Sequence, residues 1–181
     1  MTPEALTDHY RAVADASPVP VLLYNFTNVT GLNMTPDTVA ALSAHPNIVG
    51  LKDSNGDIAQ VAAVVSRVPA SFTVLVGSAA TLYPAMMMGA SGGIVAVANV
   101  VPEVCVKLYD LVRAGKHDEA RALQRRLTPL ANAVTAGHGI AGLKVAMELA
   151  GYVGGGVRRP LRPAKPEVRD ALQRLLEELT Q

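Results

Sequence analysis

The chain has 181 residues, half of them apolar and 17% charged, with a formal net charge of +1. It can bury one sizeable core, and its near-neutral charge without a lysine- or arginine-rich run argues against nucleic acid or an anionic membrane as partner and for a small-molecule ligand. No apolar stretch reaches the roughly 18 residues that span a bilayer, and Met1-Thr2-Pro3-Glu4 carries neither the basic nor the apolar segment of a secretory signal, so no membrane partner and a cytoplasmic location are expected.

The predicted elements begin with a helix over residues 3–16, where Thr2 and Pro3 form a cap and first-turn pair and Leu6, Tyr10 and Val13 share one stripe. An apolar run follows at 19–24 (VPVLLY), then a helix over 36–44 opened by Thr35 and Pro36. The run 47–52 (NIVGLK) leads to a helix over 57–67 carrying Ile58, Val61, Val64 and Val65. The run 72–77 (FTVLVG) leads to a helix over 79–89 stopped at Gly89, and the last run is 92–97 (GGIVAV). Near-continuous apolar runs are expected of parallel strands buried on both faces, and strand starts 28, 25 and 20 residues apart fit right-handed βαβ crossovers.

Pro102 then opens a helix with Val104, Leu108, Leu111 and Val112 on one stripe, stopped by Gly115. The single cysteine, Cys105, lies in this helix; it has no disulfide or metal-cluster partner in the chain and reads as a buried structural thiol. Only helices follow, at 117–135, 139–150 and 167–179, the last two separated by a glycine-rich turn and a proline-punctuated segment.

Two reactive side chains end two successive strands, Tyr24 the first and Lys52 the second. Matching ends of neighbouring parallel strands open on one side of a sheet, so an amine and a phenol converge there. The other four lysines, Lys107, Lys116, Lys144 and Lys165, fall in or near helices, where a solvated role is natural. At the mouth of a closed β/α sheet Lys52 would lose hydration, which favours the neutral, nucleophilic amine; the competing reading is a structural ion pair with Asp53. Carbinolamine and iminium chemistry needs a proton shuttle within reach, and a phenol one strand away can serve. Asn25 and residues 27–30 are candidates to orient substrate oxygens, and Ser54 to bind a carboxylate or hydroxyl, with ordinary loop capping as the alternative for each.

Other signals are weaker. Gly77-Ser78 at a helix N-terminus attracts anions, and Gly92-Gly93 marks close backbone approach. His9, His45, His117 and His138 lack ligand spacing and read as surface or capping residues, Met86-Met87-Met88 reads as core filler, and Arg158, Arg159 and Arg162 as a solvated loop.

The segments Val21-Leu22-Leu23-Tyr24-Asn25 to Thr30-Gly31, His45-Pro46-Asn47-Ile48-Val49-Gly50-Leu51-Lys52-Asp53-Ser54-Asn55-Gly56-Asp57, Val76-Gly77-Ser78 and Gly92-Gly93-Ile94 to Ala98-Asn99-Val100 resemble the dihydrodipicolinate synthase and N-acetylneuraminate lyase family of pyruvate-dependent aldolases. The likeness covers essentially the whole chain; the HPNIVGLKDSNGD stretch and the GHGIAGLK segment near residue 137 are most similar to its 4-hydroxy-2-oxoglutarate aldolases. This resemblance implies an α/β fold: the C-terminal half of a (β/α)8 TIM barrel over residues 1–115, its strands the fifth to eighth, and a C-terminal helical extension over 116–181. It implies a homo-oligomer, dimer or tetramer, and a Schiff-base lyase acting on 2-oxo acids through a pyruvate enamine. Lys52 would then be the Schiff-base nucleophile, Tyr24 the proton relay, and the Ile94 carbonyl a contact to the bound keto acid. Pyruvate and an aldehyde are the expected partners. The iminium is its own electron sink, so no metal or organic cofactor is expected.

Three departures from the family pattern stand out. The chain begins in the fourth helix, without the Gly-x-x-Gly-Glu segment; Thr27 replaces a usual proline; and Val29 stands where true dihydrodipicolinate synthases hold an arginine for a substrate carboxylate, which a neutral side chain cannot pair with. Two other readings compete. One is a non-catalytic truncated fragment or oligomerisation module lacking the N-terminal half of the active site. The other is an open flavodoxin-like domain with a phosphorylated ligand at Gly77-Ser78.

Overall fold

A computed structural model describes residues 2–180, which fold as two compact units divided between Ile94 and Val95. In the first, α1 (Pro3–Ala16) starts as expected: the Thr2 hydroxyl accepts from the Ala5 amide, and Pro3 sits in the first turn, where no N–H is needed. Hydrogen bonds from its own backbone and from Thr2 hold the Glu4 carboxyl below the usual range. The C-terminal end of α1 is anchored from elsewhere. Asn47 donates to the Ala14 and Ser17 carbonyls, and His45 Nε2 lies 3.0 Å from Asp15, so the residues before the second strand hold the first helix in place.

β1 (Val21–Asn25), β2 (Ile48–Asp53), β3 (Thr73–Val76) and β4 (Gly92–Gly93) form one parallel sheet in chain order. Between β1 and β2 lie a one-turn helix, α2 (Thr27–Thr30), which sequence patterning left as loop, and α3 (Pro36–Ser43), capped by Thr35 as expected. α4 (Ile58–Val65) follows β2, with Asp57 accepting from the Gln60 amide as N-cap. The helix expected at 79–89 begins as a 3-10 turn at Ala79–Thr81 and becomes α5 (Leu82–Met87), ending at Gly89, whose φ of 97° suits only glycine. β4 is shorter than the apolar run 92–97. Its partner β3 stops at Val76, so pairing ends with the Ile94 amide donating to the Val76 carbonyl, and the chain then turns into a 3-10 segment at Ala96–Asn99.

One face of this sheet is a core. Leu23 and Leu51 are fully buried and Val74 and Val76 nearly so, beneath Val39 and Leu42 of α3 and Val61 and Val64 of α4. Truncating one of these leucines to alanine would cost roughly 2–5 kcal/mol. The other face is not the second buried layer that the apolar runs led us to expect, because the helices of this unit pack on one side: Leu22 is 39% exposed, Tyr24 47%, and Lys52 and Leu75 half-buried. β2 can lie close to its neighbours only because residue 50 is glycine; a Cβ there would collide with the Thr73 carbonyl and the Leu22 side chain.

The second unit is helical after its 3-10 turn. α6 (Pro102–Arg113), α7 (His117–Asn132), α8 (Gly139–Leu149) and α9 (Pro166–Thr180) pack α6 on α7, α7 on α9 and α8 on α9, with Leu108, Leu127, Leu130 and Leu172 fully buried. The helix expected at 117–135 departs from α geometry at Asn132 and continues as a π turn at Ala133–Gly137, a widening the apolar period does not reveal. Lys144 reaches across to donate to the Gly154 carbonyl at 2.6 Å, which anchors the glycine-rich turn. No helix among the described residues is long and apolar enough to cross a membrane.

Cys105 is buried on α6 as expected, and burial pushes its thiol up from 9.0 to about 11. The folded-state value is the raised one, so the thiol's contribution to stability is complete below pH 9.0 and lost as pH climbs towards about 11. The unfolding free energy should therefore fall across that window by at most roughly 3 kcal/mol more than in Cys105→Ala. Urea titrations of both chains at several alkaline pH values check this; identical pH profiles would refute it.

Candidate active site

Parallel pairing sets Tyr24 beside Lys52 and Asn25 beside Asp53. Successive strand residues point to opposite faces, so the first pair stands on the open face and the second on the covered one. The Lys52 amine lies over the Tyr24 ring, 4.3 Å from its centroid, close enough for a cation–π contact. Phe26 flanks the same ring at 5.9 Å between centroids. The two expected reactive groups are thus brought together, though not in the desolvated mouth that a closed barrel provides.

The ion pair between Lys52 and Asp53 does not form. Asp53 points to the covered face, 2% exposed, and every partner of its carboxylate is an N–H donor: Asn25 Nδ2 and Gln60 Nε2 at 2.8 Å and Asn55 Nδ2 at 3.5 Å on one oxygen, and the Asn55 amide at 2.9 Å on the other. Asn25, a candidate for orienting substrate, faces the same way at 1% exposure. Its NH2 group is shared between Asp53 and Asn33 and its carbonyl accepts from the Met34 amide, so internal bonds take both of its donors and one lone pair of its carbonyl. Around these two, Asn33 Oδ1 receives Gln60 Nε2 and Asn55 Nδ2, and Asn55 Oδ1 accepts from the Thr27 amide. Apolar periodicity gave no sign of Asn33, Asn55 or Gln60; the signal available was the density of amide side chains after two strand ends.

Ser54 is half-buried two residues beyond Lys52, and its hydroxyl has no hydrogen-bond partner among the described residues. It sits so close to Gly77 that a Cβ there would collide with its Oγ. Ile94 is 51% exposed at the end of β4, and its carbonyl has no hydrogen-bond partner among the described residues. Gly77-Ser78 leads only into a three-residue 3-10 turn that Ser78 does not cap, a poor anion site. Met87 and Met88 are exposed rather than core filler, because α5 ends there. Among the described residues no His, Cys, Asp or Glu cluster could hold a metal ion.

This order of strands and helices is shared with known proteins. The profile of the Dihydrodipicolinate synthetase family matches residues 1–179. The chain belongs to this family. It is 34% identical over 180 residues to a 4-hydroxy-tetrahydrodipicolinate synthase of Exiguobacterium sp., covering 99% of this chain and 61% of that protein. It is 36% identical over 175 residues to a probable mitochondrial 4-hydroxy-2-oxoglutarate aldolase of Emericella nidulans, covering 96% and 56%. Among solved structures, a prophage protein of the dihydrodipicolinic acid synthase family from E. coli K12, crystallised in complex with pyruvate, superposes with a TM-score of 0.91 at 28% identity, over 99% of this chain and 62% of that one. The chain thus spans about three fifths of the length of the curated relatives it matches. Its four parallel strands and their helices form part of the family barrel, followed by the C-terminal helices.

The Gly77–Ser54 contact of this family member makes a coupled prediction. Gly77→Ala should cost about 1–3 kcal/mol of stability through overpacking, and less in a Ser54→Gly background where the struck hydroxymethyl is gone. Denaturant unfolding of the four chains in the cycle checks this; strictly additive costs would show that the collision is not what the alanine meets.

Proposed function

We propose that this chain carries the reacting end of a Schiff-base lyase that acts on 2-oxo acids through an enamine of pyruvate. The observation behind this reading is the Lys52 amine standing 4.3 Å from the centre of the Tyr24 ring on the open face of the sheet. Lys52 Nζ adds to the C2 carbonyl carbon of pyruvate, and loss of water from the carbinolamine leaves an iminium. Removal of a C3 proton gives the enamine, which attacks an aldehyde; the reverse sequence cleaves the carbon–carbon bond. Tyr24 moves the protons, since a phenol both donates and accepts. The uncommitted Ser54 hydroxyl is left to donate to the carboxylate of the acid, and the Ile94 carbonyl to accept from the carbinolamine hydroxyl or the iminium N–H. The family match and the pyruvate complex of the E. coli relative support the substrate class.

Val29, which the family resemblance sets at the position of the substrate-carboxylate arginine, favours a partner other than the one true dihydrodipicolinate synthases take. We keep residues 1–115 as the barrel part and 116–181 as the extension on the family's order of elements, with α6 completing the fourth strand–helix pair. A cytoplasmic homo-oligomer rests on the family alone.

A second reading is favoured by one observation. Tyr24 is 47% exposed and Ile94 51%, so the reacting face lacks a wall, and the chain spans 61% of its relative from Exiguobacterium. By itself it would then be a non-catalytic part of a site that further residues complete. Intact-mass analysis after incubation with pyruvate and borohydride separates the two. A single adduct mapped to Lys52 and absent from Lys52→Ala is the expected result. An adduct only when the chain is extended to the length of its relatives would favour the second reading, and none in either chain would sink the Schiff-base chemistry.

A further inference from the structure

Tyr24 and Lys52 are the next-to-last residues of β1 and β2, the place where strands fray unless something holds their ends. What holds them lies on the other face. Asn25 and Asp53 each follow a reactive residue by one position, and the 2.8 Å bond from Asn25 Nδ2 to Asp53 Oδ2 ties the two strand ends directly. The backbone ladder runs one step further on either side, with the Ser54 amide donating to the Asn25 carbonyl at 2.9 Å and the Gly77 amide to the Asp53 carbonyl at 2.7 Å. Gln60 then brings in the first turn of α4, and Asn33 brings in the loop before α3.

Asp53 is the part of this network that no neutral group can replace. A carboxylate at 2% exposure with no cation beside it among the described residues is expensive to bury, and it is retained with every partner an N–H donor. An ordinary core position would be apolar. Turning the carboxylate into an amide would set one NH2 group against the donors that now converge there, so the network would have to rearrange.

We propose that Asp53 is a positioning residue that, through Asn25 and Gln60, holds the ends of β1 and β2 so that the Lys52 amine stays over the Tyr24 ring. Its chemical meaning rests on the Schiff-base reading; its geometry does not. Among the described residues the pair on the open face has no side-chain hydrogen bond or ion pair of its own to fix the spacing, so the covered face sets it. The network occupies the same strand ends as the reacting groups, and it acts on them through one residue of backbone.

The test reads the geometry without any turnover. A proton above an aromatic ring is shifted upfield by the ring current, and the chain has only five lysines, so the ε-methylene of Lys52 is resolvable in the 13C-lysine-labelled 181-residue protein. Loss of the signal in Lys52→Arg assigns it, and its position in Tyr24→Leu marks the shift with the ring removed. In Asp53→Asn the signal is expected to move to the Tyr24→Leu position while cooperative unfolding is retained. Gln60→Ala, which deletes one donor at the edge of the network, is expected to move it part of the way and serves if Asp53→Asn does not fold. Val64→Ala, which loosens the same unit from inside α4, is expected to leave it in place. A signal unmoved in folded Asp53→Asn or Gln60→Ala, or moved equally by Val64→Ala, overturns the proposal. Failure of pyruvate to form an adduct on both the unaltered and the extended chain would instead count against the Schiff-base reading and leave this result standing.

Discussion

The parallel pairing of β1 with β2 is the constraint on which the rest depends. Once Tyr24 lies beside Lys52, the next residues must lie beside each other on the opposite face, because side chains alternate along a strand. One register therefore sets two constellations of opposite character. The open face receives an amine and a phenol with few bonds of their own, and the covered face receives an aspartate and an asparagine bonded on all sides. Neither could shift without the other, since a slip of one residue would bury the lysine and expose the carboxylate.

Small residues let this pairing form at close quarters. Gly50 admits the β3 backbone beside β2, and Gly77 makes room for Ser54. Each stands next to the open face, which separates their role from that of Gly89, where backbone conformation is what matters. The groups on the open face are thus framed by glycines, and their spacing depends on side chains that are absent as much as on those present.

Much of this was legible in the residues, and the reasons differ by element. Helix starts at Thr2-Pro3 and Thr35-Pro36 announce themselves because a hydroxyl cap and a proline solve the same local problem of unpaired amides. The strand ends were legible to within one residue, because polar residues interrupt the apolar runs at Tyr24 and Lys52, while the pairing runs on to Asn25 and Asp53. Three things were not. Apolarity on both sides of a strand says that both faces suit burial, but not what covers them, so the open face escaped notice. The direction of Asn25 was equally hidden: a strand-terminal asparagine points to one face or the other, and only the register against Asp53 decides which. The π turn at Ala133–Gly137 was invisible for a third reason, since one residue of extra width per turn hardly disturbs a helical stripe.

The chain-order sheet has a consequence for how the molecule is made. Among the described strands each of the first three pairs with the one that follows it, so none of these pairings waits for a distant segment, and the entropic cost of closing each connection grows only slowly with its length. A chain emerging from the ribosome can add strand–helix units one at a time to a growing edge, each docking its helix on the covered side as it arrives. Throughout such growth the apolar residues of the opposite side, Leu22 among them, would face water together with the unpaired edges. The same local order that makes assembly quick leaves a sticky surface on display until it is covered, and any long pause at that stage invites association with the wrong neighbour.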